Sequence, residues 1–363
     1  MTGKKILIFA NEDKGLYTFR GMLIKKLQQQ GNVVTVCVPE GKNPELLVKL
    51  GVKIIFTPID RRGMNPFKDF KLYCDYKKII KKEQPDYIIT YTVKCNIYGG
   101  LAAHKARVKF YMNIAGLGTS FQKDNLLKRI VVFLYKKPAM RAEKVFFENE
   151  SNRDIFIKAT KIAAEKTVVL PGAGVDLQEY EKIPLPEGEP ITFLFLARIM
   201  KEKGFEELAE AFGMLKKEFG DKVSLIILGG MEDDYVSCVK QLESDGIMKY
   251  YGLQKDVKPF IAKSHCCVLP SYHEGMSNAL LECAAMGRAL ITSNIPGCRE
   301  AVEENVNGWL VPVQNTEALY EAMKKFVNLS GEQRAVMGEK SRLRMESSFD
   351  KRKVVEITLS YFD

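Results

Sequence analysis

The stretch CCVLPSYHEGMSNALLECAAMGRALIT, residues 266–292, reads as one strand–helix–strand unit. Cys266–Leu269 is apolar at every position, as expected of a strand buried on both faces. Gly275 permits a tight turn, and Ser277 or Asn278 can cap the helix over Asn278–Met286. Ala289–Thr292 is the next strand. The same alternation runs back through Val257–Lys263 (helix), Lys249–Tyr251 (strand), Asp234–Asp245 (helix), Val223–Leu228 (strand), Phe205–Glu218 (helix) and Thr192–Ala197 (strand). Before it stand Pro184, Pro186, Pro190 and Gly188 with several Glu, which predict an interdomain linker. The first half repeats the pattern: strands at Lys5–Ala10, Val33–Val38, Val52–Thr57 and Tyr87–Thr92 alternate with helices at Thr18–Gln30, Pro44–Leu50 and Asp69–Lys82. Continuous apolar strands in βαβα order predict two α/β domains, each a parallel sheet with helices on both faces. Two such domains in tandem predict a cleft between them, with ligands at the carboxyl ends of the strands.

The expected boundaries are 1–170 for the N-terminal domain, 171–190 for the linker and 191–346 for the C-terminal domain. A terminal helix over about 347–363, built on Phe349–Phe362, is expected to rejoin the first domain. A chain of 363 residues is long for one core. Residues 1–170 hold 32 Lys and Arg against 15 Asp and Glu, a balance of +17, while the remainder carries −7. A basic face attracts anionic membrane, nucleic acid or a phosphorylated substrate, and charge alone does not choose among them. The eight Cys form no Cys-x-x-Cys pair and read as buried thiols of a reducing cytosol. The first apolar run ends at Asn11, too short for a signal-peptide core, and no stretch approaches 18 apolar residues.

Glu274 lies before the 278–286 helix and Glu282 within it. A carboxylate accepts two hydrogen bonds from neighbouring hydroxyls, which suits a sugar ring or a ribose diol. Arg198 follows a buried strand directly, and Lys203 precedes Gly204 and a helix. Two cations at a strand's carboxyl end suit a diphosphate leaving group, whose charge grows as its bond to the sugar breaks. Read singly, these residues fit an ordinary surface turn and a solvated charge run.

Taken together, Arg198 and Lys203 with Glu274-x₇-Glu282 resemble the donor-site signature of glycosyltransferase family 4, retaining enzymes of the GT-B fold, in which two Rossmann-like domains face each other across a cleft. Leu170–Asp176, Gly287-Arg288, Pro296-Gly297, Glu300 and Asn307-Gly308 also fit its pattern, and the resemblance covers nearly the whole chain. Tyr91–Gly100 and Asn113–Gly118 look most like bacterial enzymes of surface-polysaccharide or lipid-linked oligosaccharide synthesis. The resemblance implies that Arg198 and Lys203 hold the diphosphate, Glu274 binds donor-sugar hydroxyls, the backbone of Gly275, Met276, Ser277 and Asn278 approaches sugar and phosphate, and Glu282 binds the ribose. Arg198, Lys203 and Glu274 are the catalytic candidates. Gly15, in the loop after the first strand, would let the N-terminal domain close on the donor, although many relatives carry a glycine pair there. The implied donor is a UDP-sugar carrying a hexose or N-acetylhexosamine. The implied acceptor is a lipid-diphosphate-linked saccharide, and configuration would be kept by a front-face mechanism.

Acceptor-side candidates are Lys94, just after a strand end, Asn113 and His104. The neighbours of His104 read as a plain helix, so a satisfied histidine is the alternative. His273 adjoins Glu274. His265 beside Cys266 makes a poor chelate, because adjacent strand residues point to opposite faces. No Asp-x-Asp occurs, which fits a transferase that uses side chains and helix dipoles, with no metal and no cofactor. Lys123–Lys144 and Asp69–Lys82 each combine apolar residues with many Lys and Arg, and predict peripheral contact of the N-terminal domain with anionic membrane at the cytoplasmic face. The rival readings are a nucleotide-sugar epimerase of the same fold and a non-enzymatic basic nucleic-acid-binding protein. No recognised nucleic-acid motif accompanies the charge, so no nucleic-acid partner is expected. The first loop lacks Gly-x-Gly-x-x-Gly, which argues against a nicotinamide dehydrogenase.

Overall fold

Strands that are apolar on both faces need helices on both sides, and the chain supplies them twice. The computed structural model describes residues 3–41, 43–60, 63, 65–117, 121 and 126–362. Gly118 and the first residues of the 123–144 segment lie outside the described residues. The chain divides into unit 1, Met1–Ala173 with Arg352–Asp363, and unit 2, Gly174–Lys351.

Unit 1 runs β1 (Lys5–Phe9), α1 (Asp13–Gln29), β2 (Val33–Val38), α2 (Pro44–Val48), β3 (Lys53–Phe56), α3 (Pro66–Glu83), β4 (Tyr87–Tyr91), α4 (Gly100–Ala106), β5 (Lys109–Ile114), α5 (Leu126–Arg141), β6 (Lys144–Phe147), α6 (Glu150–Thr160) and β7 (Thr167–Val169). The strands form one parallel sheet in the order β3-β2-β1-β4-β5-β6-β7. Along β1, Ile6 and Ile8 enter one core while Leu7 and Phe9 enter the other, so a single strand anchors both helical layers.

Unit 2 runs β8 (Ile191–Leu196), α7 (Phe205–Phe219), β9 (Val223–Leu228), α8 (Val236–Ser244), β10 (Lys249–Tyr250), α9 (Lys258–Ala262), β11 (Cys266–Leu269), α10 (Asn278–Ala285), β12 (Ala289–Ser293), β13 (Gly308–Val311), α11 (Thr316–Val327) and α12 (Gly331–Arg344). Its sheet, also parallel, has the order β10-β9-β8-β11-β12-β13. The chain moves outward from β8 on one side, then returns to its other side at β11. The same reversal occurs in unit 1 between β1 and β4. These switch points open crevices at the carboxyl ends of the strands, where ligands of such sheets bind.

Three expectations need correction. Helix α1 begins at Asp13 rather than Thr18. The buried Asp13 carboxylate accepts from the Lys14 amide at 2.6 Å and the Asn43 amide at 2.9 Å, and an acid in the first turn favours a helix N-terminus. Gly15 therefore lies in the first helical turn, not in a loop. Residues 174–190 belong to unit 2 and are bound to it. Val175 bonds to Phe349 and Lys351, and the buried Arg288 guanidinium donates to Ile183 O at 2.7 Å and Pro184 O at 3.3 Å. The return to unit 1 comes at Arg352, within α13 (Lys351–Leu359), so residues 347–351 are also part of unit 2. Among the described residues, no helix is long and apolar enough to cross a membrane.

Candidate functional site

The switch point of unit 2 gathers most of the donor candidates. Arg198 and Lys203 follow β8, and Glu274 follows its neighbour β11. The Lys203 ammonium lies 2.5 Å from Glu274 Oε1, their side chains being 19% and 14% exposed. The Ser271 hydroxyl donates to the same oxygen at 2.9 Å. The Tyr272 amide donates to Glu202 O at 2.9 Å, tying the two loops by backbone as well. An ionised pair this sheltered needs close geometry and extra hydrogen bonds to offset desolvation, and both are present. Arg198 is exposed, and among the described residues no hydrogen bond or ion pair engages its side chain, so its charge faces solvent unpaired.

The loop between β11 and α10 offers its backbone. Met276 and Ser277 are buried, so their main-chain groups, rather than their side chains, remain for a ligand. Ser277 holds the N-cap position, but its side chain makes no capping bond, contrary to expectation. The free N–H groups of α10, which starts at Asn278, and their positive dipole end are thus left for an anion. The loop is held from behind. Ser277 N–H donates to Gly297 O at 2.8 Å, and Gly297 N–H donates to Glu300 Oε2 at 2.7 Å. Gly297 has φ +86°, and a Cβ there would stand 2.5 Å from Gly275 O and 2.9 Å from Glu274 Cβ. Only glycine permits so close an approach. His273 is exposed.

Glu282, on α10, belongs to a different set of contacts. Its carboxylate accepts from the Tyr180 hydroxyl and feels the Lys351 ammonium. Burial pushes it up to about 7, while Lys351 and the Tyr180 hydrogen bond hold it lower. His265 accepts the Thr192 amide at Nδ1, 3.0 Å, and bonds Pro186 O through Nε2 at 3.2 Å, so both ring nitrogens serve the backbone. A cavity of about 620 Å³ lies between residues 182–188 and α12, and none of the donor candidates lines it.

In unit 1, Asn113 is buried near the end of β5, in register with Tyr91 on β4. Among the described residues, its amide nitrogen and the Tyr91 hydroxyl are buried without a hydrogen-bond partner. Thr92 follows at φ +75°, an uncommon conformation for a β-branched residue. The Arg20 guanidinium stands 5.2 Å from the Tyr91 ring centre and 2.8 Å from Glu148 Oε1. Sequence reading passed over Arg20 and Glu148, since a mid-helix Arg and a strand-end Glu carry no spacing signal. Tyr180 was missed because prolines made its segment look like linker. Lys94 is neutralised by Asp69 at 2.6 Å, with the Tyr98 hydroxyl on the other oxygen at 3.0 Å. His104 lies in the last turn of α4, which leads to the start of β5 and hence to the amino edge of the sheet, away from Asn113. Burial and the nearby Arg141, Lys137 and Lys105 hold it below the usual imidazole range.

Residues 176–344 match the family described as Glycosyl transferases group 1, and residues 5–149 the family Glycosyl transferase 4-like. The chain is 28% identical over 87% of its length, and 88% of the relative's, to an N,N'-diacetylbacillosaminyl-diphospho-undecaprenol alpha-1,3-N-acetylgalactosaminyltransferase of Campylobacter jejuni. It is 25% identical, over 81% of the chain and 80% of the relative, to a UDP-Gal:alpha-D-GlcNAc-diphosphoundecaprenol alpha-1,3-galactosyltransferase of Escherichia coli. Among solved structures, a glycosyltransferase from Rickettsia africae superposes with TM-score 0.82 at 20% identity, over 99% of this chain and 98% of that one. Anabaena Alr3699/HepE, in complex with UDP and glucose, gives 0.81 at 17% identity, over 98% of both chains. With both halves matched in order, the chain belongs to the family 4 glycosyltransferases of the GT-B fold, among relatives that build bacterial lipid-linked and surface polysaccharides.

Proposed function

We propose that the enzyme transfers a hexose or N-acetylhexosamine from a UDP-sugar to a lipid-diphosphate-linked saccharide, with retention of configuration. The observation that carries this reading is the Lys203–Glu274 pair at the switch point, beside the uncapped N-terminus of α10. In this reading Lys203 and Arg198 take the donor diphosphate. Glu274, released from Lys203, accepts from sugar hydroxyls, and Glu282 accepts from the ribose. The C1–O bond to the β-phosphate breaks as the acceptor oxygen bonds C1 on the same face. The acceptor proton passes to a phosphate oxygen, and UDP leaves. Two side-chain cations and a helix N-terminus oppose the growing negative charge, so the reading calls on no metal. The relatives' printed names support undecaprenyl-diphosphate-linked acceptors and galactose or N-acetylgalactosamine donors.

Membrane contact is part of the same proposal. On α5, Leu126, Ile130 and Phe133 are 71%, 48% and 76% exposed beside Lys128, Arg129, Lys136 and Lys137. On α3, Phe67 and Phe70 are 84% and 66% exposed. Both helices also bury an apolar side, so the exposed residues are surplus to packing. Such surfaces suit an anionic bilayer at the cytoplasmic face.

A thermal-shift screen against UDP, GDP, ADP and their sugars, without added metal, tests the donor reading. Stabilisation by UDP and one UDP-sugar is expected. No shift with any of them, from folded protein, overturns it. An epimerase would convert the UDP-sugar without an acceptor, whereas a transferase releases UDP rapidly only when an acceptor is present.

A further inference from the structure

The chain enters unit 2 at Gly174 and leaves it after Lys351, and these two ends are bonded to each other. Val175 N–H donates to Phe349 O at 2.8 Å, and Lys351 N–H donates to Val175 O at 3.0 Å. Gly174, at φ +69°, lies so close that a Cβ there would stand 2.7 Å from Lys351 Cα. A few residues on, Tyr180 is fixed by its own backbone. Its N–H donates to Asp176 O at 2.9 Å, and its carbonyl accepts from Arg342 Nη1 at 2.8 Å. The same Arg342 nitrogen donates to Ala285 O at 2.9 Å, in the last residue of α10. One guanidinium therefore fixes the segment that carries Tyr180 against the helix that carries Glu282.

We infer that Tyr180 and Lys351 are positioning residues. They aim the Glu282 carboxylate for the hydroxyls of the donor's ribose, so the paired ends of unit 2 set the enzyme's grip on its nucleotide. This rests on the donor reading above. Among the described residues, the titratable groups that face Glu282 are the Tyr180 hydroxyl, the Lys351 ammonium, the Glu179 carboxylate and the Cys283 thiol. Lys258 stands 3.8 Å from Glu179 and 5.9 Å from the Tyr180 ring centre, which offsets the like charge of Glu179. Of the facing groups, Tyr180 donates a hydrogen bond to the carboxylate and Lys351 supplies the opposite charge. Both favour the form that two ribose hydroxyls can donate to. Burial works the other way and leaves the free enzyme's Glu282 at about 7. Donor binding must then weaken as protons compete for the carboxylate.

The test is the dissociation constant of UDP-N-acetylgalactosamine between pH 6 and pH 9, or of the UDP-sugar that the thermal screen selects. A UDP-sugar is used because its diphosphate is a diester and does not itself titrate in this range. For the wild type, binding about tenfold weaker at pH 6 than at pH 8 is expected from a group at about 7. In Tyr180→Phe and Lys351→Met the midpoint of that profile moves upward by about one pH unit, with affinity recovering at pH 9. Lys351→Arg restores the wild-type profile. A loss of affinity that is equal at every pH would mean a merely structural role and overturns the inference. So does a wild-type profile that is flat. If no UDP-sugar binds the wild type at any pH, the donor reading itself fails and takes this inference with it.

Discussion

Replacing Lys203 by Ala removes the only charge that, among the described residues, faces Glu274 at hydrogen-bond distance. The pair is 2.5 Å apart and its side chains are 19% and 14% exposed. Solvent-exposed pairs contribute about 0–1 kcal/mol, whereas breaking a fully buried one costs about 3–5 kcal/mol. This pair lies between those limits, and the Ser271 hydroxyl remains on the carboxylate, so a cost of about 1–3 kcal/mol is expected. At about 2–4 °C per kcal/mol for a domain of this size, Tm falls by about 2–12 °C. Glu274→Gln costs a similar amount alone. The double variant should lose less than the two single losses together, with a coupling of about 1–2 kcal/mol, because neither single variant's orphaned group survives in it. Transfer should fall further than stability does. Removing a donor aimed at developing charge typically costs about 10²–10³ in kcat, and Glu274→Ala is expected to abolish transfer with the fold intact. The assays are thermal melts of the four proteins and acceptor-dependent UDP release. Additive melts, within about 0.5 kcal/mol, would show that the pair is not coupled. Near-normal turnover in Lys203→Ala would falsify its assignment to the leaving group.

Gly297→Ala places a Cβ 2.5 Å from Gly275 O at φ +86°. Left-handed strain of about 1–2 kcal/mol and overpacking of about 1–3 kcal/mol should lower Tm and displace the donor loop, with UDP-sugar affinity falling alongside. An unchanged melting curve would refute the packing. Glu282 sits at about 7 against an ordinary 4.5, so it adds stability below pH 4.5 that is lost as pH rises through 7. The Tm of Glu282→Gln, relative to wild type, should therefore climb between pH 5 and pH 8 by an amount worth up to about 3 kcal/mol. His265 has the opposite sign: burial pulls it from 6.5 down to about 4, so its stability is complete above pH 6.5 and is lost on acidification. Between pH 4.5 and pH 6.5 the two oppose each other, and the acid sensitivity due to His265 should show most clearly in Glu282→Gln. Phe133→Asp on α5 alters a side chain that is 76% exposed. It should leave Tm unchanged and weaken binding to anionic vesicles about tenfold, and unaltered binding would remove α5 from the membrane surface.

Much of the fold was legible because its strands are apolar at nearly every position. Val33–Val38, Val223–Leu228 and Cys266–Leu269 were read with their observed limits, since a polar, proline or glycine residue bounds each run at either end. Helix starts were less legible. Asp13 initiates α1 because its carboxylate finds amide donors, one of them thirty residues away at Asn43, and no local pattern announces that. The proline-rich segment misled for a related reason. Prolines lack a backbone donor but keep their carbonyls, and Arg288 and His265 bond the carbonyls of Pro184 and Pro186. A segment that reads as a free linker is thus fastened to unit 2 by acceptors that composition does not reveal.

The site divides along the same line. The residues proposed to meet the donor, Arg198, Lys203, Glu274 and Glu282, sit beside strand ends and helix starts at fixed spacing, so the pattern survives in one dimension. The residues that tune them do not. Tyr180 and Lys351 reach Glu282 from the two ends of unit 2, and Gly297 supports Glu274 from beyond β12. Their chemistry depends only on where the fold delivers them, and a different residue elsewhere on the chain could serve the same carboxylate. That freedom explains why Lys94, which looked well placed after a strand, proves to be spent on Asp69. Among the described residues, the unspent polar groups of that sheet edge include Tyr91 and Asn113, side by side in register. An unpaired buried donor costs more than a paired one contributes, so their persistence at a carboxyl edge points the acceptor search toward β4 and β5. Tyr91→Phe and Asn113→Ala are accordingly expected to raise the acceptor KM while leaving UDP-sugar affinity untouched, and equal losses in both would place them in the folding core alone.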